Sequence, residues 1–398
     1  MDTEKFKNSP SGRILKTPRD YWAYTPNPLP PEIAFSAELV QTLSAADRAL
    51  GELVGISRTL PNPHLLIRPF IRREAVLSSR IEGTQASLSD LLYFEAAGAE
   101  PDEKSDAHEV FNYVIALEYG LERHKALPMS LRLLRELHER LLYKVRGHNQ
   151  TPGQFRRSQN WIGRPGCTLN EAIFVPPPVD EMKDALDAFE KHLHEPSSLP
   201  PLVRLALIHY QFEVIHPFLD GNGRVGRLLI VLLLCEWKVL PQPLLYLSAF
   251  FEKHRDAYYD LLLSVSQRGT WADWIAFFLT GVTEQARDAV LRTRRLHKLN
   301  QRYRRELQSA RTSALLLGLI DMLFEAPTLT VGMAKKQLNV TYRSAQHNID
   351  KLVQAGILRE VTGRARNRVF VAQEVLEAID KPLAKNLGLP GLAGGGRA

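Results

Sequence analysis

The stretch His216–Arg227, HPFLDGNGRVGR, constrains this chain more than any other part of it. A glycine pair brackets an asparagine, and an uninterrupted apolar run, Leu228 to Cys235, follows. A run with no polar face belongs to a buried helix, so the glycines read as a loop feeding its first turn. Helix N-termini carry partial positive charge and favour acids nearby, yet Arg224 and Arg227 stand there together. Two guanidinium groups at the positive end of a helix require an anion, and that requirement guides the reading of the rest.

The chain is long enough, at 398 residues, for two or three domains rather than one core. Its 44% hydrophobic and 24% charged content are those of an ordinary soluble globular protein. Cys167 and Cys235 have no metal-type spacing and imply no disulfide framework, so a reducing cytoplasm is the expected setting. The opening MDTEKFKNSPSGR lacks the apolar core of a secretion signal. The Leu228–Cys235 run falls far short of the ~20 residues of a membrane span, and no membrane partner is expected. A net charge of +7 favours contact with phosphates or acidic surfaces.

Along the chain, the pattern predicts a mainly α protein without internal repeats. About thirty Pro-rich and polar residues are expected to wrap or trail. Helical periodicity begins near Phe35, and after the proline-broken LPNPHLLIRPF a second helix is expected over about Ile71 to Arg80. Two more are read between Asp106 and Arg146, separated by ALPMS. Two short extended pieces, Gln159–Ile162 and Ala172–Val175, flank a Gly-Pro turn and read as a hairpin. Helices resume at Glu181 and run to about Leu296. The domains expected are an N-terminal helical region (1–105), a central core (106–285), a basic connecting helix (286–311), a compact C-terminal unit (312–380) and a Gly-rich flexible tail (381–398).

The central motif reads as chemistry. Gly221, Asn222 and Gly223 let the backbone turn its N–H groups inward, as an anion-binding nest at a helix mouth. Arg224 and Arg227, three apart, are expected to project from one side of the first turn, with a polyphosphate between them. Asp220 is placed to hold a magnesium ion, a hard cation that takes carboxylate and phosphate oxygens. His216, mostly neutral at pH 7, can accept a proton, while Pro217 and Phe218 fix the loop. Read alone, Gly-Asn-Gly is a turn and a histidine before proline is packing; it is the combination that points to function.

The segment matches the signature of the Fic (Fido) family, His-Pro-Phe-x-Asp/Glu-Gly-Asn-Gly-Arg-x-x-Arg, at every defined position. The resemblance implies a Fic-type helical core with a β-hairpin flap, and transfer of AMP from ATP to a Ser, Thr or Tyr hydroxyl of a target protein with release of pyrophosphate. It implies His216 as the base, Asp220 as the Mg2+ ligand, and Gly221 to Arg227, with Val225 and Gly226 included, as the ATP-binding segment. Asn222 and the glycines would hold the α- and β-phosphates, and Arg224 and Arg227 the β- and γ-phosphates. The hairpin resembles the flap that pairs with an extended target segment by strand addition. Tyr258 and Tyr259 lie where aromatics could stack on adenine, and Tyr259 is the one carried forward. SSRIEGT, with Ser78, Glu82 and Gly83, resembles the family's inhibitory pattern, in which Glu82 would occupy Arg227 through a charge-assisted pair.

The C-terminal unit reads as helix, turn, helix and two strands, and resembles a winged helix-turn-helix. Thr330 and Thr341 are placed to cap its helices, and Ala345, Ile349, Leu352 and Val353 form the apolar face of the second, which Gly356 ends. Ile357–Val361 and Arg368–Val371 are the expected strands. Arg343, Gln346, His347 and Lys351 would face outward, with Arg364, Arg366 and Arg368 in the wing, so DNA is carried as a partner. Self-modification and a homodimer are further expectations. The competing readings are removal of AMP from a target, transfer of another phosphate-containing group, and a DNA-binding regulator whose Fic core only senses nucleotide.

Overall fold

The computed structural model describes residues 1–59, 64–97, 105–308, 314–364 and 367–381. Arg366, the 309–313 junction and the Gly-rich tail beyond residue 381 therefore lie outside the described residues.

The centre of the molecule is built on two apolar helices, α7 (Pro201–Ile215) and α8 (Asn222–Glu236). α7 opens on Pro201, whose missing N–H costs nothing at a first helical position. Leu205 to Ile208 of α7 and Leu228 to Leu234 of α8 are all buried, as helices apolar on every side must be. Around them pack α4 (Asp106–Arg123), α5 (Leu131–Leu141), α6 (Val179–His194), α9 (Ser248–Lys253) and α10 (Arg255–Arg268). Ser105 and Ser130 cap α4 and α5 by accepting from the backbone N–H three residues on.

The N-terminal segment wraps the core as an antiparallel hairpin that sequence patterning did not resolve, β1 (Gly12–Lys16) paired with β2 (Trp22–Pro26). Tyr24 N–H donates to Val175 O, and Tyr24, Phe6 and Phe174 cluster at 5.6–6.2 Å between ring centres. α1 (Ala37–Thr59) lies along α11 (Trp271–Gln308). α2 (His64–Ile81) begins a full two turns earlier than its periodicity indicates and accommodates Pro69 within it. α3 (Leu88–Ala97) follows. The region read as a separate basic connector instead continues α11 without a break, with Arg292, Leu296 and Tyr303 buried.

The expected flap is reduced to one antiparallel bridge, Ile162 with Phe174, in a segment otherwise held by turns. Its Gly-Pro turn carries a 3-10 turn at Leu169–Glu171 that shortens the extended arms.

The C-terminal unit contains α12 (Ala314–Glu325), β3 (Thr328–Thr330), α13 (Val331–Leu338), α14 (Tyr342–Gln354), β4 (Arg359–Glu360), β5 (Val369–Val371) and α15 (Gln373–Asp380). The caps fall on Thr330 and Thr341 as expected. Two expectations are corrected. The sheet has three strands in the order β3-β5-β4, the first of them unforeseen because it is only three residues long. Val353 is 37% exposed, on the flank of α14 rather than in its apolar face.

Arg292 fastens this unit to α11. Fully buried, it is held by Asp288 at 2.6 Å and donates to Ile379 O at 2.6 Å and Lys381 O at 3.0 Å, the orphan carbonyls at the end of α15. Replacing it leaves those acceptors without a donor and Asp288 with Arg73 Nη1, 3.6 Å away, as its remaining cation. Arg292→Leu is expected to cost about 2–3 kcal/mol, read as a lowered denaturant midpoint; an unchanged midpoint would show that water replaces the guanidinium freely.

Candidate active site

The site forms where α7 ends and α8 begins. His216 caps α7 in the left-handed region, φ 48° and ψ 60°, a conformation that a non-glycine residue holds only under restraint. The restraint is visible. Arg156 Nε donates to His216 O at 3.0 Å, Asn160 Nδ2 donates to the same oxygen at 3.2 Å and to Phe218 O at 2.8 Å, and Pro217 O accepts from Arg156 N–H at 2.9 Å. Neither Arg156 nor Asn160 was assigned chemistry from sequence, because their partners are backbone carbonyls about sixty residues away and leave no pattern.

His216 Nδ1 lies 3.0 Å from Glu213 O. A carbonyl only accepts, so Nδ1 carries the proton and Nε2 presents its lone pair. Burial pushes the imidazole down to about 4, with the bond to Glu213 O opposing and the Arg156 charge assisting. It is therefore neutral across the physiological range.

The loop between the helices is shaped from behind. His138 of α5 stacks on Phe218 with ring centres 3.8 Å apart, accepts from Gly153 N–H through Nδ1, and so donates from Nε2 to Asp220 O at 3.0 Å. Asn222 accepts from Phe218 N–H and donates one Nδ2 proton to Phe218 C=O, both at 2.8 Å. The side chain expected to hold phosphates thus also braces the loop. Gly221, at φ 77°, makes the turn, and the first N–H groups of α8 have no acceptor within the helix. Asp220 keeps 41% of its side chain exposed, while Gly221 N–H donates to its Oδ1 at 2.6 Å.

The two arginines part company. Arg227 faces a cavity of about 520 Å³ lined also by His216, Gly223, Glu82, Tyr258 and Tyr259. Arg224 Nη1 meets Glu109 Oε1 of α4 at 2.5 Å with both side chains buried, and its Nη2 lies 3.7 Å from Asp220 Oδ1. Each of the two arginines expected to contact the β- and γ-phosphates thus has a carboxylate of its own in this structure. Glu109 also meets Arg146 at 3.5 Å and accepts from Thr84 Oγ1 at 3.4 Å. Its separation of 115 residues from Arg224 made it invisible in the sequence. Val225 is packed in the core, and Gly226 gives its carbonyl to His209 and its bare Cα to Glu213 and Phe212, so neither faces the cavity as part of an ATP-binding run.

The Ser78–Gly83 segment meets Arg227. Glu74, Ser78 and Glu82 recur every four residues, hence on one stripe of α2 and its last turn, and the stripe faces Arg227. Arg227 Nη2 donates to Glu82 Oε1 at 2.6 Å and to Ser78 O at 3.0 Å, and Nε donates to Ser78 Oγ at 2.8 Å. Gly83, at φ 98°, ends the helix so that Glu82 turns inward. Burial alone would raise the Glu82 carboxyl. The Arg227 charge and hydrogen bond, aided by Arg224, reverse this and hold it below the ordinary value. Behind the pair, Glu74 accepts from Ser248 Oγ at 2.5 Å and Tyr113 OH at 3.3 Å, and burial pushes it up to about 7.

Of the tyrosines, Tyr258 is buried with its hydroxyl on His209 Nε2 at 2.8 Å, and Tyr259 is 40% exposed at the cavity rim under Arg255. In the C-terminal unit Arg343, His347 and Lys351 are exposed along α14, while Arg368 Nη2 donates to Gln346 Oε1 at 3.0 Å, tying the wing to that helix. Among the described residues no helix is long and apolar enough to cross a membrane.

Comparison with known proteins agrees with this architecture. The Fic/DOC family N-terminal domain matches residues 40–122, the Fic/DOC family domain residues 128–234, and an HTH DNA binding domain residues 316–370. The protein adenylyltransferase Fic of Drosophila virilis is 30% identical over 218 residues, 53% of this chain and 41% of that protein. That of Nematostella vectensis is 29% identical over 239 residues, 58% of this chain and 52% of that protein. The chain thus spans about half or less of the curated relatives it matches. A Fic family protein from Desulfovibrio desulfuricans shares the fold, with a TM-score of 0.55 at 19% identity over 86% of this chain and 98% of that one. With both Fic domains in place and a helix-turn-helix domain behind them, the chain belongs to the Fic/DOC family.

Proposed function

We propose that the protein transfers AMP from ATP to a Ser, Thr or Tyr hydroxyl of a target protein, releasing pyrophosphate, and that Glu82 restrains the reaction. The observation that carries this reading is the Arg227–Glu82 pair: a carboxylate sits on a buried guanidinium in the cavity that His216 enters. A carboxylate there stands in for a phosphate. With ATP in place, the triphosphate lies against the N–H groups of α8 and Arg227, and its α-phosphorus faces His216.

The neutral His216 accepts the proton of the target hydroxyl at Nε2. The hydroxyl oxygen bonds to the α-phosphorus as the bond to the pyrophosphate oxygen breaks. A nucleotide sensor needs no such base, and the restrained histidine argues against that alternative. Asp220 fits as a magnesium ligand, being an exposed hard-oxygen donor beside the cradle. The described residues contain no group of three or more His, Cys, Asp or Glu able to hold a metal, so the ion would arrive on the nucleotide. When bound, magnesium neutralises phosphate charge.

The exposed apolar rim of the flap, Trp161, Ile162 and Ile173, suits an extended target segment. Arg343, His347 and Lys351 on α14 suit DNA phosphates and base edges.

Releasing Arg227 tests the brake. A charge-assisted hydrogen bond contributes about 1.5–3 kcal/mol, so Glu82→Gly is expected to raise incorporation from α-labelled ATP about 10- to 100-fold; equal or lower incorporation by the folded variant removes Glu82 from the scheme. Label on the protein itself would report self-modification. His216→Ala is expected to lower transfer by at least ~100-fold while ATP still binds by calorimetry, since Nε2 is no phosphate contact; undiminished transfer would overturn the assignment. For the C-terminal domain, duplex DNA affinity is expected to fall steeply with salt, and Arg343→Ala to lower the log–log slope by about one. No binding at low salt would exclude DNA as its partner.

A further inference from the structure

His216, Pro217 and Phe218 present three successive carbonyl groups to the segment Arg156–Asn160. Pro217 O accepts from the Arg156 backbone N–H at 2.9 Å. His216 O accepts twice, from Arg156 Nε at 3.0 Å and from Asn160 Nδ2 at 3.2 Å. Phe218 O also accepts twice, from Asn160 Nδ2 and Asn222 Nδ2, each at 2.8 Å. Both protons of the Asn160 amide are thus used, one on each residue flanking Pro217.

Satisfying these carbonyls does not require Asn160. Without it, His216 O keeps Arg156 and Phe218 O keeps Asn222. Its own Oδ1, meanwhile, is buried and has no partner among the described residues, which costs stability. The amide cannot turn over to relieve this, because its oxygen would then face two carbonyl oxygens. A side chain that leaves its own acceptor unpaired while doubling the donors on two carbonyls contributes geometry rather than hydrogen-bond satisfaction.

The geometry concerned is that of His216. Its φ of 48° and ψ of 60° lie in the left-handed region, where a residue with a side chain persists only if its surroundings hold it. Pro217 follows and has no N–H of its own to help. Asn160 ties the carbonyl before Pro217 to the one after it, so neither peptide can rotate without losing an Asn160 bond. Relaxation of His216 to an ordinary φ would swing the imidazole, whose Nδ1 is seated on Glu213 O at 3.0 Å. Trp161 and Ile162, which line the cavity, come directly after Asn160. One short segment therefore both fixes the histidine and borders the space it enters.

We propose that Asn160 is a positioning residue for His216: by bridging the carbonyls of the residues on either side of Pro217, it fixes the backbone that presents Nε2 for proton transfer. The inference rests on reading His216 as the base of AMP transfer.

The test is run on the full chain carrying Glu82→Gly. Three quantities are measured: the rate of label transfer from α-labelled ATP at saturating ATP, ATP affinity by calorimetry, and the imidazole Cε1–H resonance of His216, assigned by its loss in His216→Ala. Asn160→Ala is expected to lower the saturated rate about 10- to 100-fold, the effect of a small misplacement of a reacting group. ATP affinity is expected to stay within about twofold, since the Asn160 amide is spent on backbone and not on substrate. The His216 resonance is expected to shift or broaden while that of His209 stays in place. Asn160→Ser, whose single proton cannot bridge both carbonyls, is expected to behave alike and serves if the alanine variant does not fold. An unchanged rate, a loss of ATP affinity as large as the loss of transfer, or an unmoved His216 resonance overturns the inference and leaves AMP transfer standing. If the chain with Asn160 intact transfers no label, the AMP-transfer reading falls, and the resonance alone then decides whether Asn160 positions His216: a shift upholds it and an unmoved signal overturns it.

Discussion

A buried positive charge at the positive end of a helix is the constraint from which the rest of the site follows. The Arg227 side chain is 1% exposed, and withdrawing a guanidinium from water costs several kcal/mol unless it is paired and hydrogen-bonded. The α8 dipole adds to that cost. Glu82 and two atoms of Ser78 accept from its Nε and Nη2. Glu82, at the end of α2, is the carboxylate the guanidinium meets in this structure, and its side chain keeps 31% of its surface exposed.

Arg224 shows the contrasting solution. Its partner Glu109 is as buried as the arginine itself and comes from the first turn of α4. Breaking such a pair strands a charge without water, so Arg224 is a structural element of the cradle in this state. The N-terminal helices therefore supply carboxylates to both arginines, one set in the core and one at a helix end. Around them every loop group is held from outside: His216 by Arg156 and Asn160, Asp220 by His138, Phe218 by Asn222. Pre-organisation of this kind suits the neutral histidine to the role of base proposed for it.

Much was legible before any coordinates. The buried helix after Gly223, the mainly helical class and the caps at Thr330 and Thr341 follow from local pattern, and the Glu82–Arg227 contact from the family resemblance. Caps and glycine turns depend on neighbours within four residues, and a charged motif with a single chemical purpose leaves few alternatives. Less was legible where elements are short or continuous: the three-residue β3, the early start of α2 across Pro69, the flap reduced to one bridge, and the fusion of the basic segment into α11. In each, tertiary packing overrides propensity.

The sequence by itself determined that a buried apolar helix follows the glycine turn, that Arg224 and Arg227 stand in its first two turns, and that Thr330 and Thr341 cap their helices, because those features depend on neighbours within a few residues. Which glutamate meets Arg227 came from the family resemblance. Only the tertiary structure decided that Arg224 pairs with Glu109 and that Arg156 and Asn160 hold His216. Pairing of buried polar groups is settled by which partner lies nearest in three dimensions, and residues sixty to a hundred positions apart carry no record of that nearness in their order along the chain.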